Sequence, residues 1–276
     1  MKKDRQALLY ILPGFSGLLV FFGIPFAVSF RYIFGQGAVE AEFAGLSNFR
    51  DLWGNAAFQL AIKNTAVFTF ISVPLLTVSA LLLALYLDES RFVRASLLAP
   101  MMMPVASALL GWSAIFGPEG ILGNLLGNSA GYFEDPYARW VMVFIYFIKN
   151  LGYMTIILSG AIASIPKELK EAFSLESSST LQYARHIAAP MIAPVIFFVV
   201  ILSTVNCFQI FREIYGLYGT MPPSSLYMLQ NFMNNNFLKL NYNRLCTASF
   251  LVTMAIALFI SAYLYIQRRA ERKERG

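Results

Sequence analysis

A chain of 276 residues that is 58% hydrophobic and only 13% charged is not built like a soluble domain, which carries about 25% charged residues. The formal charge of +6 raises the thought of nucleic acid, but the basic residues are placed for a membrane and not for a phosphate backbone. Two cysteines, Cys207 and Cys246, lie in apolar stretches without nearby partners and read as small core residues rather than as redox or metal groups.

A helix needs roughly 20 mostly apolar residues to cross about 30 Å of hydrocarbon. Residues 6–30, 64–87, 95–118, 140–166, 187–211 and 245–267 meet that need, and the only charge among them is Lys149 in the fourth. The first stretch follows Lys2, Lys3 and Arg5 but is longer than the roughly 7–15 apolar residues of a signal peptide, and no small-x-small cleavage site follows it, so it reads as a permanent helix. Basic residues gather at the N-terminus, at Arg91 and Arg94, at Lys167, Lys170 and Arg185, and in the tail from Arg268 to Arg275. By the positive-inside rule these segments face the cytoplasm, which puts both termini there and predicts an all-α, six-helix polytopic bundle. Trp53, Trp112 and Trp140 then all fall on the outer side, as an interfacial aromatic belt would place them.

In chain order the reading divides into an N-terminal transmembrane helix, 1–34; an outer segment with a short interfacial helix, 35–63; a core of five transmembrane helices, 64–267; and a basic tail, 268–276. Pro13 and Pro25 punctuate the first span and Pro74 the second, and a tight turn at 88–94 leads into the third. Pro100 and Pro104, with three methionines between them, break the regular bonding of that third span, which is tolerated where neighbouring helices or a cavity satisfy the freed carbonyls. The outer loop 116–139 is rich in glycine, asparagine and acidic residues, and a second long outer loop runs over 212–243.

Between spans four and five, residues 164–190 are too polar to span and too patterned for a plain connector. Pro166 suits the first turn of a helix. Ile165, Leu169, Ala172 and Phe173 then share one helical face, with Lys167, Glu168, Lys170 and Glu171 around them. A run from Ser177 to Thr180 interrupts the pattern and caps a second short helix from Leu181 to about Arg185. A helix lying on anionic lipid favours a Lys/Arg-rich polar face. The mixed charge here, including Glu168, Glu171 and Glu176, fits docking onto a soluble protein better.

This segment resembles the EAA loop of bacterial ABC importer permeases, with Glu171-Ala172 at the start of the motif and Ile187 and Pro190 at its end. The likeness extends along the chain. Gly45-Leu-Ser-Asn-Phe49 is similar to the Gly-Leu-x-Asn-Tyr/Phe segment of sugar-type permeases. Phe58 with Asn64-Thr65, Arg94 with Pro100 and Pro104, Gly120 with Asn124, and the segment from Phe208 to Gly219 before Pro222 follow in the family's order. The resemblance implies the type I importer permease fold of the maltose and glycerol-phosphate branch, half of a translocation pathway for a sugar or oligosaccharide. It also implies several partners: a second homologous permease subunit as a heterodimer, two ATP-binding subunits, and an extracytoplasmic substrate-binding protein. Leu169, Glu171, Ala172, Phe173, Ser177, Leu181, Ile187 and Pro190 would form the ATPase-docking loop. Two positions depart from the family pattern: Ser177 stands where the family has glycine, and Phe173 where it has a second alanine, which implies a reshaped cleft on the partner.

Within the spans, Lys149 lies about nine residues, roughly 14 Å, below the Trp140 end of its helix, so reaching outward to water is strained. It either lines the substrate path or pairs with an acidic residue of a neighbouring helix. Asn150, Asn206 and Gln209 either hydrogen-bond sugar hydroxyls along that path or hold helices together. Arg212-Glu213 at the end of span five reads as a salt bridge or an interface anchor, and His186 as a contact residue of the cytoplasmic loop. The sequence has no Gly-x-x-x-x-Gly-Lys-Ser/Thr phosphate cradle, no metal-ligand cluster and no nucleophile elbow. It therefore reads as a non-enzyme that binds no cofactor, with ATP and magnesium held by the partner ATPase. An ATP-independent carrier or channel is the alternative, but such carriers show inverted repeats and several intramembrane ionisable groups, and neither is visible here.

Overall fold

A computed structural model describes residues 2–36, 42–86, 91–127, 131–176 and 179–274. Ser177, Ser178, residues 88–90 of the turn before the third span, and Arg275 fall outside the described residues. The secondary structure of the described chain is helical apart from one antiparallel pair of two-residue strands, β1 (Gly35–Gln36) and β2 (Glu42–Phe43), with turns and short irregular segments between the helices. Among the described residues, six helical stretches are long and apolar enough to cross a membrane: Tyr10–Phe34, Ala56–Tyr86, Val105–Leu126, Ala138–Ala163, Ala193–Tyr218 and Tyr242–Tyr265.

Contacts divide the chain into two compact units, Met1–Gln59 with Phe232–Gly276, and Leu60–Asn231. In the first unit, α1 (Lys2–Leu18) runs through a π turn at Leu19–Gly23 into α2 (Ile24–Phe34). The Ile24 N–H reaches five residues back to the Leu19 carbonyl, the widened turn immediately before Pro25, which has no N–H to give. The end of α2 is capped from two directions. Asn48 Nδ2, on the short helix α3 (Ser47–Trp53), donates to the carbonyls of Tyr32, Ile33 and Gly35 at 2.9–3.2 Å. Asn243 Nδ2 donates to Tyr32 and Gly35 at 3.0 and 2.6 Å from the start of the last helix, α15 (Tyr242–Glu274). Gly45, at a φ of +56°, makes the left-handed step that turns the chain into α3. Phe250 of α15 closes the set edge-on against Phe30 and Phe49.

The second unit takes in α4 (Ala56–Tyr86) from residue 60, then α5 (Arg91–Met102), α6 (Val105–Phe116), α7 (Ile121–Leu126) and α8 (Ala138–Ala163). The third span differs from the sequence reading. Pro100 sits inside α5 without ending it, and the helix stops at Met102 because Pro104 restricts the residue before it and lacks a donor. The candidate span there runs over Val105–Leu126, in α6 and α7, rather than over residues 95–118. Next come α9 (Lys167–Glu176), α10 (Thr180–Tyr183), a π turn at Ala184–Ala188, and α11 (Ala189–Met191). The unit continues through α12 (Ala193–Gln209) and α13 (Phe211–Tyr218) to a 3₁₀ turn at Ser224–Leu226, and α14 (Leu229–Leu238) leads out of it.

Helix α8 is the axis of this unit, with Met142, Ile145, Tyr146, Met154 and Leu158 fully buried. Its Tyr146 hydroxyl donates to the Ser203 carbonyl of α12 at 2.7 Å and its ring meets Phe68 of α4 edge-on. Further along α8, Gly152 lets α5 approach so closely that a Cβ there would overlap the Leu97 carbonyl group. At one end of α8 a polar knot fixes the chain before α14. Asn64 Nδ2 donates to the carbonyls of Ser224 and Tyr227 at 2.7 and 3.0 Å, while Arg139 Nη2 donates to Asn64 Oδ1 at 2.8 Å and to the Ser225 carbonyl at 3.2 Å. Asp135 accepts from both serine hydroxyls and from the Ser225 N–H. Burial would push the Asp135 carboxyl up, but these hydrogen bonds and the Arg139 charge outweigh it and hold the group below its ordinary value. Thr65 Oγ1 accepts the Leu229 N–H at 3.0 Å, so the Asn64-Thr65 pair acts as a clasp at the start of the second span.

Candidate functional site: a membrane cavity and a projecting helical loop

The first part of the site is a cavity of about 350 Å³ whose lining includes Lys149 and Asn150 of α8 and Asn206 and Gln209 of α12. The structure brings together all four residues singled out in the spans. Asn206 Nδ2 donates to Asn150 Oδ1 at 2.9 Å, and Asn150 Nδ2 turns back to the Tyr146 carbonyl at 2.8 Å. One amide of the pair is thus buried and orients the other. Met103 and Pro104 wall the opposite side, where the chain is neither in α5 nor in α6. The break in the third span is what leaves the space.

Lys149 has a partner. Its Nζ forms an ion pair with Oε1 of Glu213 on α13, and the carboxylate side chain is 3% exposed against 23% for the lysine. Sequence reasoning placed Glu213 in a salt bridge or anchor beside Arg212. The structure separates the two: Arg212 is exposed and donates to Gln209 Oε1, while Glu213 turns inward. The signal was available, because a lysine at membrane depth asks for an acid at similar depth, and Glu213 is the first acid after the apolar run of span five. Lys149 and Glu213 also close one side of an adjoining, mostly apolar cavity of about 210 Å³ lined by Trp112, Ile115 and Ile145. Trp112 packs against Phe116 and Phe144 and lines that cavity, whereas Trp53 and Trp140 are 65% and 59% exposed, as belt residues would be.

The second part is α9–α10. The Ser164 hydroxyl donates to the Ala161 carbonyl and ends α8, and the buried Ile165 anchors the turn before Pro166. The face read as Ile165, Leu169, Ala172 and Phe173 splits in two. Ile165 and Phe173 turn inward, with the Phe173 ring 5.9 Å from that of the buried Tyr183. Leu169 and Ala172 face outward with Glu171. Leu175 and Leu181 are 89% and 65% exposed, so the loop presents bare leucines beside acidic and basic side chains. Phe173, half-buried, therefore fills space beneath its own helix. Ser179 Oγ accepts the Gln182 N–H at 3.4 Å as the cap of α10, and His186 Nδ1 lies 3.0 Å from the Gln182 carbonyl. After α10 the Ala189 N–H reaches back to Ala184, the wide turn that precedes Pro190; Ile187 packs inward there and Pro190 stays exposed.

Known proteins resemble this chain in sequence and in fold. The lactose transport system permease protein LacF of Rhizobium radiobacter is 26% identical over 98% of this chain and 96% of its own length. The trehalose/maltose transport system permease protein MalF of Thermococcus litoralis is 26% identical over 97% of this chain and 95% of its own. Among solved structures, a bacterial ABC transporter involved in the import of the acidic polysaccharide alginate contains a chain that superposes with a TM-score of 0.80. It is 19% identical over 97% of this chain and 96% of that one, and at that identity it speaks for the fold. The model of the family described as "Binding-protein-dependent transport system inner membrane component" matches residues 67–276, and the chain belongs to that family.

Proposed function

We propose that this inner-membrane component forms one half of a translocation pathway for a sugar or oligosaccharide, with a second homologous permease subunit supplying the other half. Two ATP-binding subunits, holding ATP and magnesium, engage the 164–190 loop from the cytoplasm. An extracytoplasmic binding protein delivers the substrate, and both termini lie in the cytoplasm. The chain itself binds no cofactor and catalyses no reaction.

One observation carries the coupling role. A polar two-helix loop between two spans is anchored from within by Ile165, Phe173 and Tyr183 yet shows water Leu169, Leu175 and Leu181 around Glu171. Bare leucines on a firmly held, charged projection are what a protein partner would cover. The relatives named for lactose and for trehalose/maltose support the sugar reading, and the four polar residues on one cavity supply hydroxyl-binding groups on the path.

The test is to purify the chain with the proteins encoded beside it and to compare it with Glu171→Lys. Docking predicts that an ATPase co-purifies with the parent chain and that both its retention and sugar uptake fall at least tenfold on charge reversal, the scale of one lost charge-assisted contact. Unchanged uptake and retention would remove the docking role. Uptake without any ATPase would point to a self-sufficient carrier.

A further inference from the structure

We propose that the Lys149–Glu213 pair makes this chain's half of the pathway select neutral over acidic saccharides. The inference rests on reading the cavity as part of a sugar path. Taken alone, Lys149 is a cation at membrane depth and would attract an anionic substrate. It is not alone, because Glu213 meets it and is itself almost wholly enclosed.

Among the described residues, two charged side chains line the cavity, Lys149 of α8 and Arg212 of α13, and Glu213 of α13 meets Lys149 from the adjoining cavity. The third-span side contributes Met101, Met103, Pro104 and Val105, none of them charged. Arg212 is exposed, and its guanidinium is engaged by Gln209 Oε1, to which it donates. The Lys149 charge is therefore compensated by Glu213, and the uncharged polar groups of the lining include the amides of Asn150, Asn206 and Gln209.

An acidic sugar entering that space would have to take Lys149 from Glu213. Glu213 would then lose its cation, and its second oxygen already finds no donor among the described residues. The arriving carboxylate would also meet Glu213 as a like charge. A neutral sugar faces neither cost. It exchanges hydrogen bonds with the amides and lays its apolar faces on Met103 and, in the adjoining space, on Trp112.

The experiment uses the intact purified importer and measures binding of maltotriose and of trigalacturonate to the membrane complex by saturation-transfer NMR. The parent complex should favour maltotriose by roughly tenfold, the effect of one charge-assisted contact. Glu213→Gln leaves Lys149 uncompensated and should move the ratio toward trigalacturonate by about the same factor. The double change Lys149→Met with Glu213→Gln removes both charges and should return the neutral preference; it decides the matter if the single variant fails to assemble. A parent complex that prefers trigalacturonate, or one ratio shared by all forms, overturns the inference and leaves the sugar path standing. Binding of neither saccharide removes the sugar path itself, and the inference with it.

Discussion

The backbone carbonyl of Leu97 on α5 occupies the place that a side chain on residue 152 of α8 would need. Two helices meet there backbone to backbone, and the obstructing atoms belong to main chain, which cannot swing aside. Gly152→Ala should therefore push α5 from α8 and cost about 1–3 kcal/mol or more by overpacking. Gly160→Ala, on the same helix with nothing within 4 Å of the added carbon, should be neutral or slightly stabilising. Thermal unfolding of the two variants in detergent checks the contrast. Equal midpoints would mean that α5 and α8 do not approach as described.

Phe173 and Leu175 are close in sequence and opposite in role. Phe173 rests on Tyr183, so Phe173→Ala should loosen α9 from its base; an aromatic pair contributes about 0.5–1.5 kcal/mol beyond its burial. Leu175 is 89% exposed, and Leu175→Ala should leave the loop as ordered as before. Hydrogen exchange over 167–183 separates them: faster in the first variant, unchanged in the second. If the loop docks an ATPase, both variants should hold that partner less tightly, the first through disorder and the second through lost contact.

What the sequence made legible follows from which forces act locally. Hydropathy located the six crossings because lipid demands long apolar helices whatever their neighbours. The break in the third span was legible as well, since Pro104 acts on its own backbone, but not that Pro100 would ride inside a helix. Partnerships were the hidden part. Asn48 stood out only as one letter of a family-like motif, and its reason, capping three carbonyls at the end of α2, requires knowing that α3 folds back on that helix. Phe173 looked like a misfit on a docking face because the α9 face divides between inward and outward positions, and a four-three-one spacing cannot say where that division falls. Lys149 was visible as a problem and Glu213 as a neighbour of Arg212. Only the packing of α13 on the rest of its unit joins the first to the second.

Asp135 offers a pH readout away from the membrane. Its carboxyl is held below the ordinary value by Ser225, Ser224 and Arg139 against the opposing effect of burial. A carboxylate lowered on folding stabilises above its unfolded pKa, and that contribution is lost as pH falls through the folded pKa. The hold on residues 224–225 should therefore be intact near neutrality and weaken below about pH 4, where a free aspartate begins to protonate. Exchange of the Ser225 amide, corrected for intrinsic pH dependence, should rise across that window. In Asp135→Ala it should be fast at every pH. Flat protection in the parent chain down to pH 3 would show that the carboxylate does not hold this turn.

The Lys149–Glu213 pair also has a stability consequence independent of any substrate. Removing one partner of a buried pair strands the other charge and commonly costs about 3–5 kcal/mol, while replacing both by uncharged groups of similar size is close to neutral. Because Lys149 is 23% exposed and Glu213 only 3%, the two single changes should differ. Lys149→Met strands the enclosed carboxylate and should be the more damaging. Glu213→Gln strands an ammonium that retains some access to water and should cost less. The double variant should recover most of the loss, giving a coupling energy above about 1 kcal/mol in an unfolding cycle. Simple addition of the single effects would mean that the two charges do not interact and that Glu213 is buried for another reason.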